Sequence, residues 1–227
     1  MAPTPKAIRR TIALSALMLV AAGSWLGWQE AAPFLQGGAT AGQRFAALSS
    51  GTHAPGPSIA SRRQFLSDCL EAMDGFFAVG QFPEDRAAVA QYCGTVAERI
   101  AKQSPTDALA WLVYARSRAE ASDIVEMNSA LLTSQRVSQN EQWIAELRVR
   151  LAEAQFAELS AEVAARHAAD LALLVRSTRG IAAIAGRYVS VPAFRERIIA
   201  IVETLPEMDQ QRFLNRVREA TALAATP

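Results

Sequence analysis

SPTDALAWLVYARSRAEASD, residues 104–123, is the stretch from which the fold is read. It opens with Ser104 at the cap, Pro105 at the first helical position and the acid Asp107 at the third. Each satisfies or tolerates the unpaired amides of a helix start. Leu109, Trp111, Leu112, Tyr114 and Ala115 then recur at helical intervals. Asp123 reads as the cap of the next helix, with Met127, Ala130, Leu131 and Leu132 turned inward.

Outward from this centre the same period continues in both directions. Toward the C-terminus, Asn140 reads as a cap for a helix carrying Trp143, Ile144, Leu147 and Leu151. Further helices are expected over 160–177, 180–189, 192–204 and 207–222, broken at Ser177–Gly180, Pro192 and Pro206. Toward the N-terminus, Phe65, Cys69, Met73, Phe76 and Phe77 mark a helix that ends near Gly80. Asp85 to Ala101 marks another, with Val89, Tyr92, Cys93, Val96 and Ile100 on one face. No segment alternates with the two-residue period of a strand, so the fold class is all-α.

The chain begins differently. Lys6, Arg9 and Arg10 precede the apolar run TIALSALMLVAAGSWLGW, residues 11–28, which is about long enough to cross a hydrocarbon core of roughly 30 Å. Trp25 and Trp28 stand at its far end, where amphipathic rings favour the membrane boundary. Two readings follow. In one, residues 1–30 are a single-pass inner-membrane anchor with the N-terminus in the cytoplasm and the bulk in the periplasm. In the other, they are a signal peptide cut after Val20-Ala21-Ala22. The continued apolarity through Trp28 favours the anchor. Residues 31–60, with Gly37-Gly38, Ser49-Ser50-Gly51 and Pro55-Gly56-Pro57, read as a flexible linker in which His53 is solvated. Residues 61–222 form the helical domain, and 223–227 a tail.

Charge is nearly balanced, with 23 basic and 22 acidic residues, which offers no general case for nucleic acid. Cys69 and Cys93 are the chain's two cysteines. In an exported protein an even pair reads as a disulfide, with two separate buried thiols as the alternative. Without a CxxC or a nearby histidine they do not suggest a metal site, and no cofactor motif is present.

Several groups invite a chemical reading. His167 and Asp170 share a helix face, but neither further metal ligands nor a placed nucleophile accompanies them, which leaves a structural or solvated histidine. Glu158 and Glu162 form an i, i+4 carboxylate pair of the kind that divides acid and base roles in glycoside cleavage, or else a solvated face. Arg176, Arg179, Arg187, Arg195 and Arg197 gather against one acid, Glu196. Guanidinium forks there suit an acidic glycan, a lipid headgroup or a partner's acidic tail, unless acids elsewhere in the fold pair with them. Ser177-Thr178-Arg179-Gly180 lacks the glycine spacing and lysine of a phosphate loop and reads as a helix junction. Trp111, Tyr114 and Trp143 suit either a peptide groove or packing between helices, with Arg116, Arg118 and Asn140 as recognition residues in the first case.

Two resemblances bear on these expectations. Residues 104–152 resemble tetratricopeptide repeats: Asp107-Ala108-Leu109-Ala110-Trp111 with Tyr114-Ala115, then Ala130-Leu131-Leu132, then a new start at Asn140-Glu141-Gln142-Trp143. Trp111 and Trp143 are 32 residues apart, near the 34-residue period of that repeat. Ala115 stands where the repeat has Gly, and Gln139 where it often has Pro. The match covers one repeat and part of another, and a plain helical bundle is the alternative. The whole chain, with Asp170 to Ile181 as its closing stretch, also resembles uncharacterised alphaproteobacterial membrane-anchored envelope proteins. Some of these stand near surface-polysaccharide synthesis and export machinery. The resemblance implies a context: a scaffold or interaction module that docks into an envelope protein complex. The rival functions are a periplasmic glycan-acting hydrolase using Glu158 or Glu162, and a holding chaperone for exported chains.

Overall fold

The computed structural model describes residues 5–37 and 40–225. Residues 1–4 of the expected anchor, Gly38 and Ala39 of the expected linker and residues 226–227 of the tail lie outside them. Among the described residues there are twelve α-helices and no strand, which bears out the all-α reading. The chain divides into two compact units, Met1–Tyr92 and Cys93–Pro227.

The first unit holds α1 (Pro5–Gly37), α2 (Ala41–Ser49), α3 (Ile59–Asp74), the single turn α4 (Phe76–Val79) and the start of α5 (Pro83–Gln103). Within α1, Ile8–Leu35 is long and apolar enough to cross a membrane, and its side chains from Ile8 through Trp28 are exposed. At 1.5 Å per residue these 28 residues extend about 42 Å, well beyond a hydrocarbon core of about 30 Å. The surplus lies at the C-terminal end, where residues 29–33 turn from exposed to partly or fully buried. There the Glu30 carboxylate accepts hydrogen bonds from the backbone N–H of Ser58 (3.1 Å) and from the Ser58 hydroxyl. Ser58 is the N-cap of α3, and its Oγ in turn accepts from Ser61 N–H. An anion at a helix start is favoured by the unpaired amides and the aligned peptide dipoles. Gly56 lies so close to the backbone of Gln29 and Glu30 that a Cβ would stand 2.7 Å from the Gln29 carbonyl oxygen.

The expected linker is corrected here: much of residues 31–60 is ordered structure. Thr40 and Gln43 form a reciprocal capping box at the start of α2, and Phe45 and Leu48 are buried. Gly51, at φ +70°, closes the helix in the left-handed conformation that glycine accepts most readily. His53 is not solvated but fully buried. Its Nε2 lies 3.0 Å from Asp68 Oδ2, its carbonyl accepts from the Tyr92 hydroxyl at 2.7 Å, and its ring leans on Phe65. The glycines and prolines mark real turns, but the residues between them have polar and aromatic partners far along the chain.

The second unit continues through α6 (Ala108–Glu120), α7 (Ile124–Val137), α8 (Gln142–Ala154) and a 3-10 turn at Phe156–Glu158. It ends with α9 (Ala161–Arg176), α10 (Gly180–Ser190), α11 (Pro192–Val202) and α12 (Glu207–Ala224). Helices α6 and α7 pack antiparallel, Ser134 near the end of α7 donating to the Ala108 carbonyl at the start of α6 (2.8 Å). Helices α8 and α9 pair the same way, Arg148 meeting Asp170 and Glu153 meeting His167. Leu171, Leu174, Ile181, Ile184, Phe194, Ile198 and Phe213 form the core that α9 to α12 share.

Asp123 caps α7 as expected, accepting from Glu126 N–H. Two other caps are corrected. Asp107, not Ser104, caps α6, accepting from Leu109 and Ala110 N–H, because residues 104–106 turn before the helix begins. Glu141, not Asn140, occupies the cap of α8. The helix expected to continue to Gly80 stops at Asp74, because Gly75 is extended (φ −73°, ψ 162°).

Both cysteines are disulfide-bonded and, as the chain's two, they bond to each other, tying α3 to α5. The bridge closes a 25-residue loop, which in the chain-entropy treatment stabilises by roughly 3 kcal/mol. Replacing both cysteines by serine is therefore expected to cost about 3 kcal/mol. Reversible unfolding followed by circular dichroism, compared with the oxidised wild type, measures this directly; matching curves would deny the bond a role.

Candidate functional site

The first unit carries an open groove where α2 crosses the end of α3. Phe45 and Phe77 meet edge to face, centroids 5.7 Å apart, and Gly42 lets α2 lie against the Phe77 ring. With Ala41, Ala72, Gly75 and Phe76 they line a cavity of about 310 Å³. Its polar end is built by Arg44, which donates to Glu71 Oε1 at 2.6 Å and lies 4.0 Å from Asp68. Asp68 is buried, and Gln64 also donates to it. Beside the groove the chain turns outward. Phe76 is 97% exposed, Val79 78% and Phe82 70%. No charged residue occurs from Gly75 through Pro83, so this is a continuous apolar edge of the kind that marks interaction surfaces. The sequence reading placed Phe76 and Phe77 on the buried stripe of α3. The break at Gly75 removes Phe76 from that stripe entirely.

In the second unit, the arginine-rich segment does not form one basic face. Arg187 and Arg197 turn toward Glu153 on α8, 44 residues before Arg197 in sequence: Arg197 Nη2 lies 2.5 Å and Arg187 Nε 4.0 Å from Glu153 Oε2. His167 Nε2 lies 2.7 Å from the other oxygen. Phe156 walls this cluster, the Arg197 guanidinium lying 3.9 Å from its ring centroid. Arg195 donates to the Tyr188 and Val189 carbonyls and so closes the end of α10. Arg176 and Arg179 are exposed. Of the five arginines, the fold brings two together, and both around an acid the sequence reading did not single out.

Burial resists ionisation of Glu153 more than any single partner favours it. The hydrogen bonds from His167 and Arg197, with their charges, nevertheless hold its carboxyl below the ordinary value of 4.5. Deeper in the unit, Arg148 makes a two-pronged pair with Asp170, both bonds 2.7 Å. It also donates to the carbonyls of Ser134 and Ser138, fastening α7, α8 and α9 with one side chain. The cavity beside this pair measures about 10 Å³, no more than a water occupies. His167 and Asp170 are thus structural, each with its own buried partner.

Glu158 and Glu162 do not form the expected i, i+4 pair on one helix. Glu158 ends the 3-10 turn, and the extended Leu159 and the cap Ser160 separate it from Glu162 in α9, which pairs with Arg136 at 2.8 Å. Trp111 hydrogen-bonds the Pro105 carbonyl and lies edge-on to Tyr114, whose ring carries Arg118 at 5.2 Å. Burial, then the charges of Glu98 and Glu126, push the Tyr114 hydroxyl's pKa upward. Trp143 is 43% exposed rather than packed inward. Among the described residues, no cluster of three or more His, Cys, Asp or Glu side chains is placed to hold a metal ion.

Two outcomes follow for the second unit. Arg148→Ala leaves Asp170 buried and unpaired and is expected to cost about 3–5 kcal/mol, whereas the double replacement Arg148→Met, Asp170→Leu should recover most of it. Chemical denaturation of the two variants and the wild type measures the difference. Because the carboxyl of Glu153 ionises more readily when folded, its contribution is complete above its ordinary pKa and is lost as pH falls through the lowered one. Glu153→Gln should therefore flatten the acid limb of stability against pH, read from melts between pH 7 and pH 3. No family model matches the chain, and neither a curated protein nor a solved structure matches it.

Proposed function

We propose that the protein is a single-pass, membrane-anchored helical scaffold of the cell envelope that docks a partner through the apolar edge formed by Phe76, Val79 and Phe82. The observation that carries this is the exposure of those side chains in a stretch without charge. Leaving them in water forgoes a gain of about 1.5–3 kcal/mol for each fully buried side chain. The groove beside them gives the edge shape, and the α3–α5 disulfide closes the loop that carries it.

The anchor reading draws on Lys6, Arg9 and Arg10 before the span and on Trp25 and Trp28 near its far end, a pattern that favours an inward N-terminus and a periplasmic bulk. A disulfide suits that oxidising compartment. Inner-membrane placement, a tetratricopeptide-like role for α6 to α8 and a post beside polysaccharide export belong to the same proposal. So does an acidic glycan as ligand for the exposed Arg176 and Arg179. Docking then gains from the anchor, which confines the protein near its partner and raises effective concentration.

A photo-crosslinking amino acid placed at position 76 or 82 of the full-length protein in intact cells tests the reading. A discrete adduct with an envelope-complex component, absent when the probe stands at exposed Arg218 on α12, is the expected result. Adducts smeared over many exported chains would replace docking with a holding role, and none at either position would sink it.

A further inference from the structure

The groove beside the docking edge has a chemistry that selects its occupant, and the inference rests on the docking reading above. Three aromatic rings surround it: Phe45 and Phe77 at an edge-to-face angle of 63°, and Phe76 standing out at the rim. At its polar end two carboxylates, Asp68 and Glu71, face one guanidinium, Arg44. The two acids differ in reach. Asp68 is 3% exposed and engaged by His53, Gln64 and Arg44. The Glu71 side chain is 54% exposed, and Arg44 occupies only its Oε1. The cavity, about 310 Å³, is at the small end of ligand sites and suits a single long side chain.

We infer that this groove receives an arginine or lysine side chain from the docked partner, its apolar stem between Phe76 and Phe77 and its cationic head at Glu71. Aromatic faces attract a cation through their quadrupole, and more so once water is excluded. The free oxygen of Glu71 supplies a charge-assisted hydrogen bond to the head. An anionic group would be repelled by the second oxygen of Glu71, and a purely apolar side chain would leave that oxygen desolvated without a partner. Apolar residues flanking the basic one in the partner would cover Val79 and Phe82, completing the contact that the exposed edge calls for.

Full-length protein in detergent micelles, titrated with a fluorescent acetyl-Leu-Arg-Leu-amide peptide, tests this by anisotropy. The control is the same peptide with citrulline, which keeps the shape of arginine and removes its charge. The arginine peptide is expected to bind saturably, and the citrulline peptide at least tenfold more weakly. Glu71→Gln should bring the arginine peptide to the citrulline level, and Phe76→Ala should weaken both peptides. Because Phe76 is exposed, Phe76→Ala is expected to melt like the wild type, which separates lost binding from lost fold. Equal binding of the two peptides, or binding indifferent to Glu71→Gln, overturns the inference. So does self-association of the protein abolished by Phe76→Ala, which would make a second copy the occupant, or signal that follows empty micelles. Crosslinking through position 76 that persists in Glu71→Gln at wild-type strength would leave docking standing while removing the cation from it.

Discussion

The Glu30 carboxylate at the start of α3 is the constraint on which the first unit depends. A free membrane helix would leave the following residues to wander. Here the C-terminal end of the membrane-compatible stretch of α1 forms a hydrogen-bonded junction, with Glu30 on Ser58 and Gly56 pressed against the backbone of residues 29 and 30. Capping of this kind stabilises by about 0.5–2 kcal/mol, and the partly buried setting places it toward the upper part of that range. The gain is modest, but its geometric effect is large, because it joins α3, with α2, α4 and the groove, to the C-terminal part of α1. Where the C-terminal part of α1 lies fixes where α3 begins.

The second unit is organised by a different economy. Two buried polar centres, Arg148 with Asp170 and Glu153 with His167 and Arg197, lie on the α8–α9 contact. Buried charges contribute little net stability against an apolar packing, but they tolerate no change of register, since a shift by one residue leaves each of them unpaired. The apolar residues of α9 to α12 supply most of the stabilisation, and the polar pairs determine which faces meet. This accounts for an arginine-rich segment that looks like a ligand surface in sequence and acts largely as internal fastening in the structure.

Much of the fold was legible because helices declare themselves locally. The period of Phe65, Cys69 and Met73, the cap at Asp123 and the breaks at Pro192 and Pro206 all depend on neighbours within a turn or two, and the structure agrees with them. What failed depended on distance. His53 looked like a linker residue because Asp68 and Tyr92, which bury it, are 15 and 39 residues away. Glu153 attracted no notice because its three partners are on α9, α10 and α11. The groove was hidden for a subtler reason: an apolar residue after a glycine break carries the same signal whether it is buried or projects into solvent. The run of uncharged residues from Gly75 to Pro83 was the one cue available. Taken alone, it reads as core.

The disulfide encloses this same run. Its loop begins at Cys69, passes through the groove wall and the exposed phenylalanines, and returns at Cys93, so the bond surrounds the apolar edge. Without the bond, an unfolded chain would hold that segment on a longer tether. Once oxidised, the same residues are held in one arrangement between α3 and α5. The bond therefore acts on the segment that carries the groove wall and the exposed phenylalanines, removing from its unfolded chain the conformations in which α3 and α5 lie far apart.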